Sequence, residues 1–149
     1  MMKIAIGSDH GAVELKALLK GVLAKDFPFL EVIDVGTTGS ASVDYPDIAE
    51  KLCSLITSGE VERGIALCGT GIGISIACNK IDGIRAALCN DVFSAKMSME
   101  HNDSNVLCLG GRVTGFGPAT EIMTAWRDSS FSGESRHQQR IDKIMALEK

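Results

Sequence analysis

The chain has 149 residues and a formal net charge of −4 at pH 7. That is enough length for one domain with a full hydrophobic core, and the wrong sign of charge for a dedicated nucleic-acid binder. No apolar run reaches the roughly 20 residues of a membrane span, and the opening Met1-Met2-Lys3-Ile4-Ala5-Ile6 is broken at once by Gly7-Ser8-Asp9, too soon for a signal peptide.

Apolar runs of strand length alternate with helix-length periodic segments. The pattern predicts strands at Lys3–Gly7, Glu31–Val35, Gly64–Leu67, Arg85–Leu88 and Val106–Leu109. It predicts helices at Ala12–Lys25, Pro46–Ser58, Ile72–Lys80, Val92–Glu100, Phe116–Arg127 and Arg136–Leu147. In the first helix Leu15, Leu18, Leu19, Val22 and Leu23 form one apolar stripe. Strict alternation implies right-handed crossovers and a parallel sheet covered on both faces, an α/β doubly wound, Rossmann-like three-layer sandwich with strand order 2-1-3-4-5. The whole of 1–149 reads as one domain, without repeat or linker. In such a sheet ligands bind beyond the carboxyl ends of the strands at the switch point, here between the first and third strands. The loops starting at Ser8-Asp9-His10-Gly11 and at Cys68 would therefore face one crevice.

Cys68-Gly69-Thr70-Gly71-Ile72-Gly73 carries the most chemistry. A thiol at a strand end, followed by a glycine turn and a helix start, combines a base with backbone N–H groups that can face an anion. The pattern is not Gly-x-Gly-x-x-Gly, because Ile74 and Ile76 stand at the sixth positions, and no Gly-Lys-Ser/Thr follows. The other cysteines (Cys53, Cys78, Cys89, Cys108) read as small buried hydrophobes. Five cysteines without a Cys-x-x-Cys pair suggest neither a disulfide framework nor a zinc site, and a reducing cytoplasm is the expected home.

Asp9 and Asp44 each precede a helix and serve either as N-caps or as site carboxylates; Asp9 is also placed to hydrogen-bond a sugar hydroxyl. His10 at a strand end favours a site. In the tail, Ser135 and Gln138 fit a capping box, and Arg136 and Arg140 lie one turn apart on one face. Two guanidiniums at a helix start suit a phosphate, or else form a solvated face. Arg112 is a third basic candidate, expected at the same sheet edge. On spacing alone His101 reads as a helix C-terminal residue favourable to the dipole.

Together these motifs resemble the ribose-5-phosphate isomerase B family, which includes allose- and galactose-6-phosphate isomerases. The matching pieces are Gly7-Ser8-Asp9-His10-Gly11, Asp44-Tyr45-Pro46, Cys68 to Gly73, Asn79-Lys80, His101-Asn102-Asp103, Gly110-Gly111-Arg112-Val113 and Arg136 to Arg140. Each alone is weak; in this order they are specific. The resemblance implies interconversion of ribose 5-phosphate and ribulose 5-phosphate through a cis-enediolate, without metal or other cofactor, as in the pentose phosphate pathway. It implies Cys68 as base, N–H groups of Gly69, Thr70, Gly71, Ile72 and Gly73 around the enediolate oxygen, and Thr70 positioning the sugar. His101 would assist ring opening with Asp44, and Asp9, Tyr45 and Asn102 would line the substrate. His10, Arg112, Arg136 and Arg140 would hold the phosphate.

Alternatives are a hexose-6-phosphate isomerase, a non-catalytic sugar-phosphate-binding subunit, and a cysteine acyl transferase, the last without an orienting partner for a Cys–His pair. His101 lies in a helix-to-strand turn, at the edge of the sheet away from Cys68. Sites shared between subunits of a homodimer or homotetramer are therefore expected, with the helix 136–147 packing at a subunit interface.

Overall fold

The computed structural model describes residues 2–149. Five parallel strands form one sheet: β1 (Lys3–Ser8), β2 (Glu31–Asp34), β3 (Arg63–Cys68), β4 (Ala86–Leu88) and β5 (Val106–Gly110). The helices are α1 (Val13–Asp26), α2 (Tyr45–Thr57), α3 (Ile72–Asn79), α4 (Val92–Glu100), α5 (Phe116–Asp128) and α6 (Ser135–Met145), with a short 3₁₀ turn at His10–Ala12. The α/β sandwich expected from the alternation is present.

The strand order is β2-β1-β3-β5-β4, which corrects the expected 2-1-3-4-5. Burial explains the exchange. All five residues of β5 are buried, as suits a strand with neighbours on both sides. β4 has three half-buried residues, and β2 has three with Glu31 exposed, so the two short strands occupy the edges. The switch point between β1 and β3 is unaffected.

Alternating side chains feed two cores. Ile4, Ile6, Ile65, Leu67, Leu107 and Leu109 pack with α1, α4 and α5, where Leu19, Met99 and Trp126 are fully covered. Ala5, Ala66, Cys68, Val106 and Cys108 face α2 and α3 on the other side. The Trp126 indole satisfies its N–H on Ser104 Oγ at 2.8 Å, so the largest core side chain leaves no buried donor unpaired.

One charge is built into the first core. Lys16 is 2% exposed, and its Nζ donates to Asp34 Oδ1 (2.9 Å), the Gly36 carbonyl (3.0 Å) and the Thr37 carbonyl (2.7 Å). Three donors meet three acceptors, the condition under which a buried ammonium is tolerated. Burial raises the Asp34 carboxyl, but hydrogen bonds from Lys16, Lys20 and the Gly36 N–H outweigh it and hold the group below the usual carboxylate range. A carboxylate lowered on folding contributes stability above its ordinary value and loses it as pH falls through the folded one. Acid titration followed by circular dichroism is therefore expected to show a stability loss below about pH 4, and Asp34→Asn is expected to flatten that part of the curve.

Candidate active site

The glycine turn after β3 is fixed by its own backbone. Gly71 precedes α3 with φ +79°, the left-handed region, and a Cβ there would strike Leu88, Leu109 and the Gly110 amide. The turn is thus held between β4 and β5, and no larger residue fits without moving it. The Gly71 N–H donates to Cys68 Sγ at 3.1 Å, and the Ile72 N–H donates to Thr70 Oγ1 at 3.2 Å. Of the five N–H groups expected to form the cradle, two are therefore engaged within the turn. Those of Gly69, Thr70 and Gly73 have no acceptor among the described residues. Cys68 is 4% exposed, so the sulfur lies under the turn with its position set by an amide.

The loops meet as the switch point requires. The Asp9 N–H reaches the Leu67 carbonyl at 3.2 Å, and a Cβ on Gly11 would stand 3.1 Å from the Gly69 backbone. Asp9 is buried and its Oδ1 caps the 3₁₀ turn by accepting from the Gly11 N–H at 2.8 Å. Oδ1 thus acts as an N-cap in this chain. Asp44 also stands at an N-cap position, but makes no side-chain capping bond and is exposed. Its carboxylate is free of the helix it precedes. Tyr45, at the start of α2, lies over Gly73, where an added Cβ would come within 2.5 Å of the ring.

His10 is half-buried, and its Nδ1 accepts from the Val43 N–H at 3.2 Å. An imidazole that accepts at Nδ1 carries its proton at Nε2 when neutral, so His10 presents a donor. Arg112 follows β5 and leans over the turn, its Nη1 3.3 Å from where a Cβ on Gly69 would lie. Its backbone N–H is tied to the Gly69 carbonyl at 2.9 Å, and the Gly111 N–H to that of Cys68 at 2.9 Å. The carboxyl edge thus gathers one thiol, three unengaged amides, a histidine donor and a guanidinium.

The remaining candidates lie elsewhere. His101 ends α4 at the amino edge of the sheet, and Asn102 and Asp103 follow, their carbonyls held by the Arg85 side chain just before β4. Strands of six residues separate this edge from Cys68 by about 20 Å. The tail joins His101: the Ser132 N–H bonds the Glu100 carbonyl at 3.0 Å, which brings the start of α6 to the same edge. Arg136 and Arg140 are therefore not at the edge that carries Arg112, contrary to expectation. The chain returns through α5 to the amino edge before α6 begins.

The expected capping box is also absent. Glu134 occupies the N-cap position without a side-chain cap, and Gln138 donates instead to Asp142 Oδ1. Glu134 Oε2 takes the Arg136 Nε at 2.8 Å, a surface pair.

His137 also belongs to this second cluster, though its spacing in the sequence does not mark it as a site residue. The His137 ring stacks on His101 with centroids 4.2 Å apart and planes 14° from parallel. It is 5% exposed, and its buried Nε2 makes no hydrogen bond, Glu134 Oε2 lying 4.0 Å away. Burial first, then the neighbouring His101 and Arg136, hold its imidazole below the usual histidine range. Its place beside Arg136 in the tail motif was the one signal in the sequence.

The other cysteines belong to the packing. A thiol contact with Cys78 and then burial push Cys53 up, a contact with Cys108 pushes Cys78 up, and burial takes Cys89 to about 11. These are protonated, inert side chains at neutral pH.

A family model described as ribose/galactose isomerase matches residues 4–144. The chain is similar to ribose-5-phosphate isomerase B of Escherichia coli (strain K12), 46% identical over 148 residues, covering 99% of this chain and 97% of the relative. It is similar to a D-erythrulose-4-phosphate isomerase of Pectobacterium atrosepticum, 42% identical over 139 residues, covering 89% and 87%. Among solved structures it is similar to ribose-5-phosphate isomerase B of Clostridium thermocellum, with TM-score 0.94, 51% identity, and 98% and 97% of the two chains covered. A match that runs through both clusters, at this identity and over nearly full length, decides the family: the chain is a member of the ribose/galactose isomerases.

Proposed function

We propose that this chain interconverts ribose 5-phosphate and ribulose 5-phosphate through a cis-enediolate, with Cys68 as the base and each site completed by a second copy of the chain. The observation that carries the reading is the sulfur held under a turn whose Gly69, Thr70 and Gly73 amides point to no protein acceptor. In the aldose-to-ketose direction the Cys68 thiolate takes the C2 proton and becomes the thiol, and the C1 carbonyl becomes an enediolate oxygen. The unengaged amides stabilise that charge, each good donor being worth about 3–4 kcal/mol. The proton returns to C1, the O2 proton passes to O1, and the ketose forms without net gain or loss of atoms. Thr70 positions the sugar oxygens, and His101 assists ring opening with Asp44.

A second copy supplies what the first cannot reach. Phe93 (72% exposed) and Ile76 (57% exposed), with Ile72 and Val92, leave apolar surface on α3 and the start of α4, beside the glycine turn. Surface of this kind suits a subunit contact. In a two-fold dimer, His101, Asn102, Arg136 and Arg140 of one chain serve the Cys68 crevice of the other, with α6 at the interface. Four chains would pair such dimers. No helix of the described residues is long and apolar enough to cross a membrane. The activity fits cytoplasmic carbohydrate metabolism in the pentose phosphate pathway.

The substrate is tested by comparing kcat/KM for ribose 5-phosphate, allose 6-phosphate, galactose 6-phosphate and erythrulose 4-phosphate. The pentose is expected to be turned over best. A higher value for either hexose or for the tetrulose would reassign the substrate, and no turnover of any would indicate a binding subunit.

Arg136 and Arg140 are expected to read the phosphate. A hydrogen bond to a charged group is worth about 1.5–3 kcal/mol. Arg140→Ala is therefore expected to raise KM for the sugar phosphate and Ki for inorganic phosphate together by about tenfold or more. Arg136→Ala is expected to do less, since Glu134 already engages that guanidinium. Equal losses for free and phosphorylated sugar would make the pair structural.

A further inference from the structure

The Lys16 ammonium does more than fill the core. Its three acceptors belong to the end of β2 and to the first residues of the loop that runs from Val35 to Asp44. That loop starts hard against β1. The Thr37 N–H bonds the Ser8 carbonyl at 3.0 Å, and a Cβ on Gly36 would overlap the Ser8 backbone. Its middle, 38–42, is exposed. Its far end carries the Val43 N–H that donates to His10 Nδ1, and then Asp44 and Tyr45.

Two carbonyls and one carboxylate oxygen converge on Lys16 Nζ. Without the cation, the Gly36 and Thr37 carbonyls would lose the Lys16 donor and Asp34 Oδ1 would keep only the Gly36 N–H, so the loop start would have to move apart or admit water. The five residues 38–42 join that start to Val43.

We propose that Lys16 is a positioning residue for His10: it gathers the start of the Val35–Asp44 loop so that the Val43 N–H holds the imidazole in its Nε2–H form. The use of that donor rests on the reading of His10 as a phosphate ligand given above. Lys16 touches no reacting atom and acts entirely through the loop.

The test reads the His10 ring directly. Nitrogen-15 NMR of the imidazole is expected to show the Nε2–H tautomer in the unaltered chain and a mixture of tautomers in Lys16→Met. Affinity for inorganic phosphate is expected to fall about tenfold in Lys16→Met, the weight of one hydrogen bond. In a His10→Ala background the same substitution is expected to change phosphate affinity by less than about twofold, because the effect passes through His10. Val43→Pro removes the N–H donor at the half-buried loop end and is expected to reproduce the tautomer mixture with Lys16 intact, whether or not Lys16→Met folds. A retained Nε2–H tautomer in either single variant would overturn the proposal. So would an undiminished loss of phosphate affinity in the His10→Ala background. A tautomer change without loss of phosphate affinity would uphold the positioning by Lys16 and count instead against the phosphate role of His10.

Discussion

Cys68→Ala is expected to lose the isomerisation and keep the substrate. The side chain at the head of the glycine turn that can accept a proton, as its thiolate, is Cys68, and the Gly71 N–H fixes its sulfur at 3.1 Å. Removing a general base costs about 100- to 10,000-fold in rate. The amides of Gly69, Thr70 and Gly73 belong to the backbone and survive the substitution, as do His10 and Arg112. The loss should therefore fall on kcat, with the affinity for a sugar phosphate changed little. Exchange of the substrate C2 hydrogen with deuterated solvent checks the step itself. Exchange at the unaltered rate in Cys68→Ala would take the sulfur out of the reaction.

His101→Ala is expected to cost about 100-fold or more in activity, although His101 sits about 20 Å from Cys68 in its own chain. The geometry sharpens this expectation. An ordinary surface histidine at a helix end contributes at most about 1 kcal/mol through the dipole, and losing it would leave turnover intact. His101 is instead stacked on the buried His137, beside Arg136 and Arg140. A large loss of kcat with retained folding would assign it to chemistry at a distance that one chain cannot span. Since the stack itself contributes to packing, His101→Asn is the companion variant. It keeps a planar polar group and removes only the acid–base function, so it should lose the same activity at smaller cost in Tm. Full activity in His101→Asn would return the residue to its helix-capping role.

The alternation of apolar strands and periodic helices made the sandwich legible, because in a parallel sheet local pattern and buried face coincide. The switch-point rule also carried Cys68 and His10 to one crevice, since it depends on which strands flank the reversal and not on the order of the outer ones. The exchange of β4 and β5 was less visible. Both are short apolar runs, and only the unbroken burial of Val106 to Gly110 against the three residues of β4 distinguishes centre from edge.

Side-chain pairings were the hardest to foresee. Ser135 and Gln138 have the spacing of a capping box, yet the helix starts one residue earlier in function, with Glu134 at the N-cap engaged by Arg136. Arg112 and the α6 arginines share a sign but not an edge, because that depends on how the chain crosses after α5. The stack of His101 on His137, 36 positions apart, and the grip of Lys16 on Gly36 and Thr37 are long-range contacts with no periodic signature. That the amides of Gly71 and Ile72 meet Cys68 and Thr70 depends on side-chain placement within the turn, which spacing does not show.

The central claim is that each site is assembled from the carboxyl edge of one chain and the amino edge of another. Subunit mixing tests it most directly. Cys68→Ala and His101→Ala chains, each inactive alone, are unfolded and refolded together, and the activity of the separated hybrid is measured. A two-fold hybrid holds one crevice with both lesions and one with neither, so the account predicts activity close to half that of the unaltered dimer. Proven hybrids without activity, or a fully active monomer of the unaltered chain, would contradict it.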